Sequence, residues 1–420
     1  MKTESALSKR IRRHVTGRVK DFFMVAAPGL EKLCFDELMA LPLSSKEARA
    51  VPGGVTFKAR VHDAYLANLH LRTASRILMR IGEFRASGFP QLEYFIQDFP
   101  WELYLHPGKM PEFRITATHS RLYHTGAIAE RFSQSITKRM KEMFPISNTD
   151  RSDGLPPKPP IPSPQSPIPS SNTEKTDGLP QQIFIRVMDD RFTVSIDSTG
   201  EHLHKRGIRK FSGDAPLRET AAAAVLHLAG YDGQEPLIDP MCGTGTFSFE
   251  AAMQITRTPP GFFRNFAFMQ WPSFQPGRWA HIRREAEKNF SFTEKSPLIY
   301  ASDTDEKAYN DLKKNISESP FSARIQAKLR DFFTFSPAEL TDQTGLVVIN
   351  PPYGLRLGHP EESMELFQAI CRQLAGKYKG WKFALIAPDP KLIRNLPFSF
   401  QKHPLFHGGL NLHLLTGKIV

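Results

Sequence analysis

Apolar and polar positions alternate in two different ways along this chain. From residue 21 to 83 the order reads strand, helix, strand, helix. "FFMVAA" is a short apolar strand, and Pro28-Gly29 turns it into "LEKLCFDELMAL", where Leu30, Leu33, Leu38 and Leu41 recur at helical spacing. "GGVTFKARV" then reads as a strand after a Gly-Gly turn, and "DAYLANLHLRTASRIL" as a helix with Asp63 at its N-cap. This is a small α+β unit, ferredoxin-like in element order. Residues 84–204 form a second α+β unit: "EFRITAT" alternates like a strand, "TGAIAERFSQSITKRMKEMF" is helical and carries Arg131, Lys138, Arg139 and Lys141, and "IFIRVMDDRFTVSIDST" is a hairpin turned at Asp189-Asp190.

From about residue 205 the pattern changes. "PLID", "LIYASD", "LVVINP" and "KFALIAP" are short apolar runs separated by helical segments such as "RETAAAAVLHLAG", "DEKAYNDLKKNI" and "ESMELFQAICRQLAGKY". Strands alternating with helices predict a parallel, doubly wound Rossmann-like α/β sheet over 205–420. "LFHGGLNLHLLTGKIV" adds an antiparallel hairpin at Gly408-Gly409, unusual for a dinucleotide dehydrogenase. Within the second unit, residues 147–180 are crowded with proline, and "SNTDRSDGLP" returns as "SNTEKTDGLP". Such composition cannot offset its ordering entropy and predicts a disordered insertion; a PxxP ligand is the alternative.

The net charge of +12 changes the picture by pointing to a polyanionic partner, nucleic acid foremost. The basic stretch at 1–20 has no apolar centre and reads as a flexible arm for phosphates rather than a secretory signal. Cys34, Cys242 and Cys371 are scattered and odd in number, so no disulfide framework or zinc ribbon is expected, which fits a reducing, cytoplasmic setting. No apolar run approaches the length of a membrane helix. His124, His202 and His204 have no metal-ligand spacing and read as phosphate contacts or structural groups; Arg206, Arg209 and Lys210 are candidates for RNA contact or solvated surface.

Candidate chemistry gathers at three strand ends. "PLIDPMCGTGTFSFEAA" ends a strand at Asp239 and opens a helix through Pro240, Cys242, Gly243 and Gly245. Glycines there admit a ligand to the backbone and to the free amides of the helix N-terminus. The third glycine of GxGxxG and the Gly-Lys-Ser/Thr of a P-loop are both missing, which disfavours a pyrophosphate cradle. An acidic residue beside such a loop suits a ligand with an amino group, and S-adenosylmethionine offers an amino group, a carboxylate and a sulfonium. Asp303 closes the next strand, where a carboxylate can take both ribose hydroxyls, while Asp305 caps the following helix. Asp331 is placed to accept from an adenine amine and Phe332 to cover the ring, with a core role for Phe332 as the alternative.

"INPPYGLRLG" follows the run "LVV". Asn350 arrives at the carboxyl edge of a buried strand, where open α/β sheets bind ligands. Pro351 and Pro352 fix the backbone and remove donors, so the Asn350 amide oxygen and the Pro351 carbonyl make an acceptor pair. Tyr353 supplies a face for stacking a flipped base. An acceptor pair beside a ring suits the exocyclic NH2 of a planar base, whose lone pair must be aimed at an electrophilic methyl. Positioning does this work, so no Ser/His/Asp set, strong base or metal is needed.

"DPMCGTGT", "ASDTDEKA" and "NPPYG", in this order, resemble the class I methyltransferases of exocyclic amines. The wider pattern is similar to the THUMP-containing RNA methyltransferases, especially the RlmL-type guanine-N2 enzymes of large-subunit rRNA. "APGLEKLCFDEL" looks like that family's N-terminal ferredoxin-like domain; "THSRLYHTGAIAERF" and "DDRFTVSIDSTGEHLHKRGIRKFSGDAPLRETAAAAVL" look like its THUMP domain and the entry to its catalytic domain. The resemblance implies a ferredoxin-like domain at 21–83, an RNA-binding THUMP domain at 84–204 and a methyltransferase at 205–420. It implies that Asp239, Gly243 and Gly245 hold the methionine moiety of S-adenosylmethionine, Asp303 the ribose and Asp331 the adenine, with Asn350, Pro351 and Tyr353 forming the target pocket. The partner it implies is RNA, foremost 23S-type rRNA. The insertion at 147–180 departs from the family's pattern. Adenine-N6 methylation of RNA or DNA, and a non-catalytic RNA-binding or assembly role, are the rival readings.

Overall fold

The computed structural model describes residues 5–145, 181–211, 217–290, 299–352, 360–393 and 396–420. The insertion expected at 147–180 lies outside them. The chain begins with α1 (Ala6–Ile11) and a π-helical turn over Arg12–Thr16. The flexible arm expected at 1–20 is therefore helical over residues 6–16. Ile11 and Val15 are buried in the N-terminal core, and Arg10 pairs with the buried Glu102 at 2.7 Å, so two apolar anchors and an ion pair hold the basic stretch down.

The N-terminal half contains β1 (Lys20–Val25), α2 (Glu31–Ala40), β2 (Ala48–Val51), β3 (Gly54–Ala59), α3 (Val61–His70), β4 (Arg76–Arg85), α4 (Phe89–Gln97), β5 (Glu112–Thr118), α5 (Thr125–Met143), β6 (Gln182–Met188) and β7 (Arg191–Asp197). All seven strands form one sheet, in the order β2-β3-β1-β4-β7-β6-β5. The two α+β units of the sequence reading thus join through the β4–β7 pair. The helix expected across 63–78 stops at His70, and "RIL" opens β4 instead. Asp63 sits one turn inside α3 rather than at its N-cap; its carboxylate accepts from the backbone N–H of Arg60 at 2.8 Å. The β6–β7 hairpin turns at Asp189-Asp190, both at positive φ (52° and 61°), as a two-residue turn matched to strand twist requires.

The C-terminal half contains α6 (Glu219–Leu228), β8 (Leu237–Asp239), α7 (Thr246–Ile255), α8 (Pro276–Glu287), β9 (Ile299–Asp303), α9 (Glu306–Ser317), β10 (Ile325–Leu329), β11 (Leu346–Ile349), α10 (Pro360–Lys377), β12 (Lys382–Ala387), β13 (Gln401–His407) and β14 (Leu410–Lys418). Its sheet runs β10-β9-β8-β11-β12-β14-β13, parallel from β10 to β12 and antiparallel at β14 and β13. Leu346 and Val348 face one core with α6, α7 and α9, while Val347 and Ile349 face another with α10. Burial on both faces explains why "LVVI" is an unbroken apolar run. The strand order turns back between β8 and β11, which places a ligand crevice outside their carboxyl ends.

The halves share more than a linker. Residues 262–286 between α7 and β9 pack into the N-terminal core: the Phe268 ring lies 4.3 Å from that of Tyr65 on α3, and Trp279 stands edge-on to the same tyrosine.

Candidate active site

Asp239, at the end of β8, is 1% exposed. Its Oδ2 accepts from the Ser248 hydroxyl in α7 at 2.7 Å, while its Oδ1 is buried without a partner. Burial pushes the carboxyl up to about 7, and the Asp303 charge adds to the effect. The loop that follows is fastened to β9: the N–H of Cys242 donates to the Ser302 carbonyl at 3.0 Å and that of Gly243 to Asp303 Oδ2 at 2.7 Å. Gly243 and Gly245 both adopt positive φ (54° and 86°). A Cβ on Gly245 would sit 2.5 Å from Leu312 Cδ1, so this glycine is required by packing. A Cβ on Gly243 would meet nothing within 4 Å, so this glycine borders open space. Pro240 and Cys242 are buried, and burial next to two carboxylates pushes the Cys242 thiol well up, leaving it a small neutral wall.

Asp303 ends β9 half-buried and organises its surroundings; its Oδ1 accepts from the Asp305 N–H at 3.0 Å. Asp305 caps α9 by accepting from Lys307 and Ala308. Asp331 follows β10 and accepts from the Phe333 N–H at 2.9 Å. Phe332 is a correction to the expectation that its ring covers a ligand. The ring is buried among Phe335, Phe333 and Tyr378, and that packing leaves it no open face.

Asn350 follows β11 at the carboxyl edge, and its Oδ1 is buried with no hydrogen-bond partner. Leaving such an oxygen unpaired costs about 1–3 kcal/mol, which a ligand donor would recover. Pro351 is buried and Pro352 half-buried; Tyr353 lies outside the described residues. At the carboxyl ends of β8, β9 and β11 there thus stand two buried, unpaired acceptors and a half-buried carboxylate, with two left-handed glycines in the loop after β8. An amine-bearing donor with a carboxylate and a ribose fits this set of groups.

Two residues offered as RNA contacts are elsewhere. Arg206 is buried, with its guanidinium on Glu250 of α7 at 2.8 Å, and the half-buried Arg209 has its side chain held on Glu219, Thr244 and Thr246. Lys210 remains at the surface beside Glu318. Burial holds His204 down at about 4 and keeps His202 below its usual range, which favours the neutral form of both rings. Ser248, which orients Asp239, was missed; its place nine residues on, in the first turn of the next helix, was the available signal.

Comparison with known proteins bears on this geometry. Residues 206–414 match the family described as "RMKL-like, methyltransferase domain", and residues 21–78 match "RlmL ferredoxin-like domain". Residues 206–414 belong to the RMKL-like methyltransferase domain family. A further relative is "Putative RNA methyltransferase slr0064" of Synechocystis, 27% identical and matched over 95% of this chain and 97% of its own length. "Ribosomal RNA large subunit methyltransferase K/L" of Syntrophotalea carbinolica is 30% identical over 95% of this chain but 53% of its own, so the chain spans about half the length of that relative. Two solved structures share the whole architecture. A "putative methyltransferase complexed with SAH" has a TM-score of 0.79 at 27% identity, covering 96% of this chain and 99% of its own. A "predicted N6-adenine-specific DNA methylase" from Listeria monocytogenes has a TM-score of 0.78 at 26% identity, covering 96% and 97%. Among the described residues no helix is long and apolar enough to cross a membrane, and no cluster of His, Cys, Asp or Glu could hold a metal.

Proposed function

We propose that this methyltransferase transfers a methyl group from S-adenosylmethionine to the exocyclic N2 amine of a guanine in RNA, with large-subunit rRNA as the substrate. The observation that carries the reading is the buried, unpartnered Asn350 Oδ1 at the carboxyl edge of β11. An aryl amine is a weak nucleophile because its lone pair is delocalised. Asn350 Oδ1 and the Pro351 carbonyl would accept its two N–H groups and turn the lone pair out of the ring plane, and Tyr353 would stack on the base. The proton lost after transfer leaves through these acceptors to solvent.

S-adenosylmethionine, when bound, supplies the electrophilic methyl. Asp239 would receive its ammonium, the amides opening α7 its carboxylate, Asp303 its ribose hydroxyls and Asp331 its adenine amine. The RNA assignment is supported by relatives named for RNA that align with 95% of the chain, the N-terminal sheet included. A second reading, adenine N6, is favoured by the likeness to the Listeria structure, which is described as an N6-adenine-specific DNA methylase. Transfer of labelled methyl to undermethylated rRNA, tRNA and DNA, followed by nucleoside analysis, separates the two.

A further inference from the structure

The segment that leaves the N-terminal sheet does more than connect. Its Arg209 side chain is 7% exposed. One guanidinium nitrogen donates to Thr244 Oγ1 at 3.1 Å and Thr246 Oγ1 at 3.0 Å, and the other to Glu219 on α6. Those threonines flank Gly245, the left-handed residue that opens α7. The next two residues are fastened to the other arm of the crevice. The N–H groups of Lys210 and Phe211 both donate to Asn315 Oδ1, at 3.1 and 3.2 Å, and Asn315 Nδ2 returns a bond to the Phe211 carbonyl at 2.9 Å. Asn315 lies on α9, the helix that follows Asp303. The same short segment therefore grips the helices behind both the glycine loop and the ribose-side carboxylate.

We propose that Arg209 is a positioning residue for the methyl donor: its fork holds Thr244 and Thr246 so that the Gly243–Gly245 loop stays shaped for the ligand before the ligand arrives. The physical reason is preorganisation. A loop with two positive-φ glycines has wide conformational freedom, and the donor must otherwise order it on binding. Two hydroxyls pinned by one planar, always-charged group, itself anchored by Glu219, remove that freedom in advance. A lysine keeps the charge but cannot span both threonines and the carboxylate. Arg209 touches neither donor nor target in this account; it acts through the loop. The inference rests on the glycine loop being the donor site.

The test is calorimetric titration of the full chain with S-adenosylhomocysteine, well below the melting temperature, for the wild type, Arg209→Met, Arg209→Lys, Thr246→Val and the Arg209→Met/Thr246→Val double variant. Gly243→Ala is the control for the site itself. Arg209→Met is expected to weaken binding about 10- to 100-fold, Arg209→Lys by an intermediate amount, and the double variant no more than Arg209→Met alone. In turnover assays the KM for S-adenosylmethionine should rise while kcat at saturating donor holds. A purely structural role would lower the melting temperature and give additive losses. Arg209→Met binding within about twofold of wild type, or additive losses, would overturn the proposal while leaving the site intact. Unchanged binding by Gly243→Ala would instead sink the donor-site reading beneath it.

Discussion

Asn350 and Asp239 each bury an unpaired oxygen, and each oxygen makes a separate prediction. Asn350→Ala should leave donor binding intact and slow methyl transfer by about 10²–10³, the cost of one well-placed polar group; equal rates in single-turnover assays would remove Asn350 from the chemistry. Asp239 predicts a pH dependence. Its carboxyl is raised to about 7 by burial, so the free native protein holds a proton that the unfolded chain releases near pH 4. This group's contribution to stability therefore falls as pH rises from the unfolded value through about 7. Donor binding runs the other way, because an ammonium favours the ionised form. Affinity for S-adenosylhomocysteine should rise from pH 6 to pH 8, and Asp239→Asn should bind more weakly with a flat profile; a flat wild-type profile would contradict the assignment. Both residues were legible in the sequence because a polar group directly after an apolar strand has one place to go, the carboxyl edge. Phe332 is open in the sequence between a stacking and a core role, and Arg206 and Arg209 were misread, because nothing in their local spacing separates a buried ring from a stacking ring, or a buried guanidinium from a solvated one. Only the partners, Tyr378, Glu250 and Glu219, decide, and they come from distant segments.

At the scale of elements, the two loop glycines should behave differently. Gly245→Ala forces a left-handed alanine into Leu312 and should cost about 2–4 kcal/mol of stability, from backbone strain and overpacking together, read as a lower denaturation midpoint. Gly243→Ala meets no neighbour, so its cost is the backbone strain alone, about 1–2 kcal/mol, and its main effect should be weaker donor binding. Equal stability losses in the two variants would contradict the packing argument. The parallel strands of the second half were readable because burial on both faces writes an unbroken apolar run. The first half was harder. Arg76–Arg85 runs straight on from a helical pattern, and "RTASRIL" continues the helical spacing while its partners, β1 and β7, pull it into the sheet.

Across the whole molecule, the join between the halves was not legible. The boundary pattern at residue 205 suggests separate units, yet residues 262–286 of the second half are packed into the core of the first. A dense run of Phe and Trp was the signal, but its destination depends on Tyr65 and the face of α3. Phe268→Ala should cost about 3–5 kcal/mol and loosen both halves together, seen as a single shifted calorimetric transition; loss confined to one of two resolved transitions would contradict a shared core. The buried carboxylate of Glu250 reinforces the join, with Arg206 from the linker at 2.8 Å and Arg72 from the N-terminal half at 3.7 Å. A rigid join of this kind fixes the distance between the sheet proposed to hold RNA and the crevice at β8 and β11. The most direct test of the account is transfer of labelled methyl from S-adenosylmethionine by the wild-type chain, with undermethylated rRNA and DNA offered side by side and mass spectrometry of the released nucleosides. N2-methylguanosine, lost in Asn350→Ala, is the predicted product; N6-methyladenosine, or label appearing in DNA alone, would contradict it.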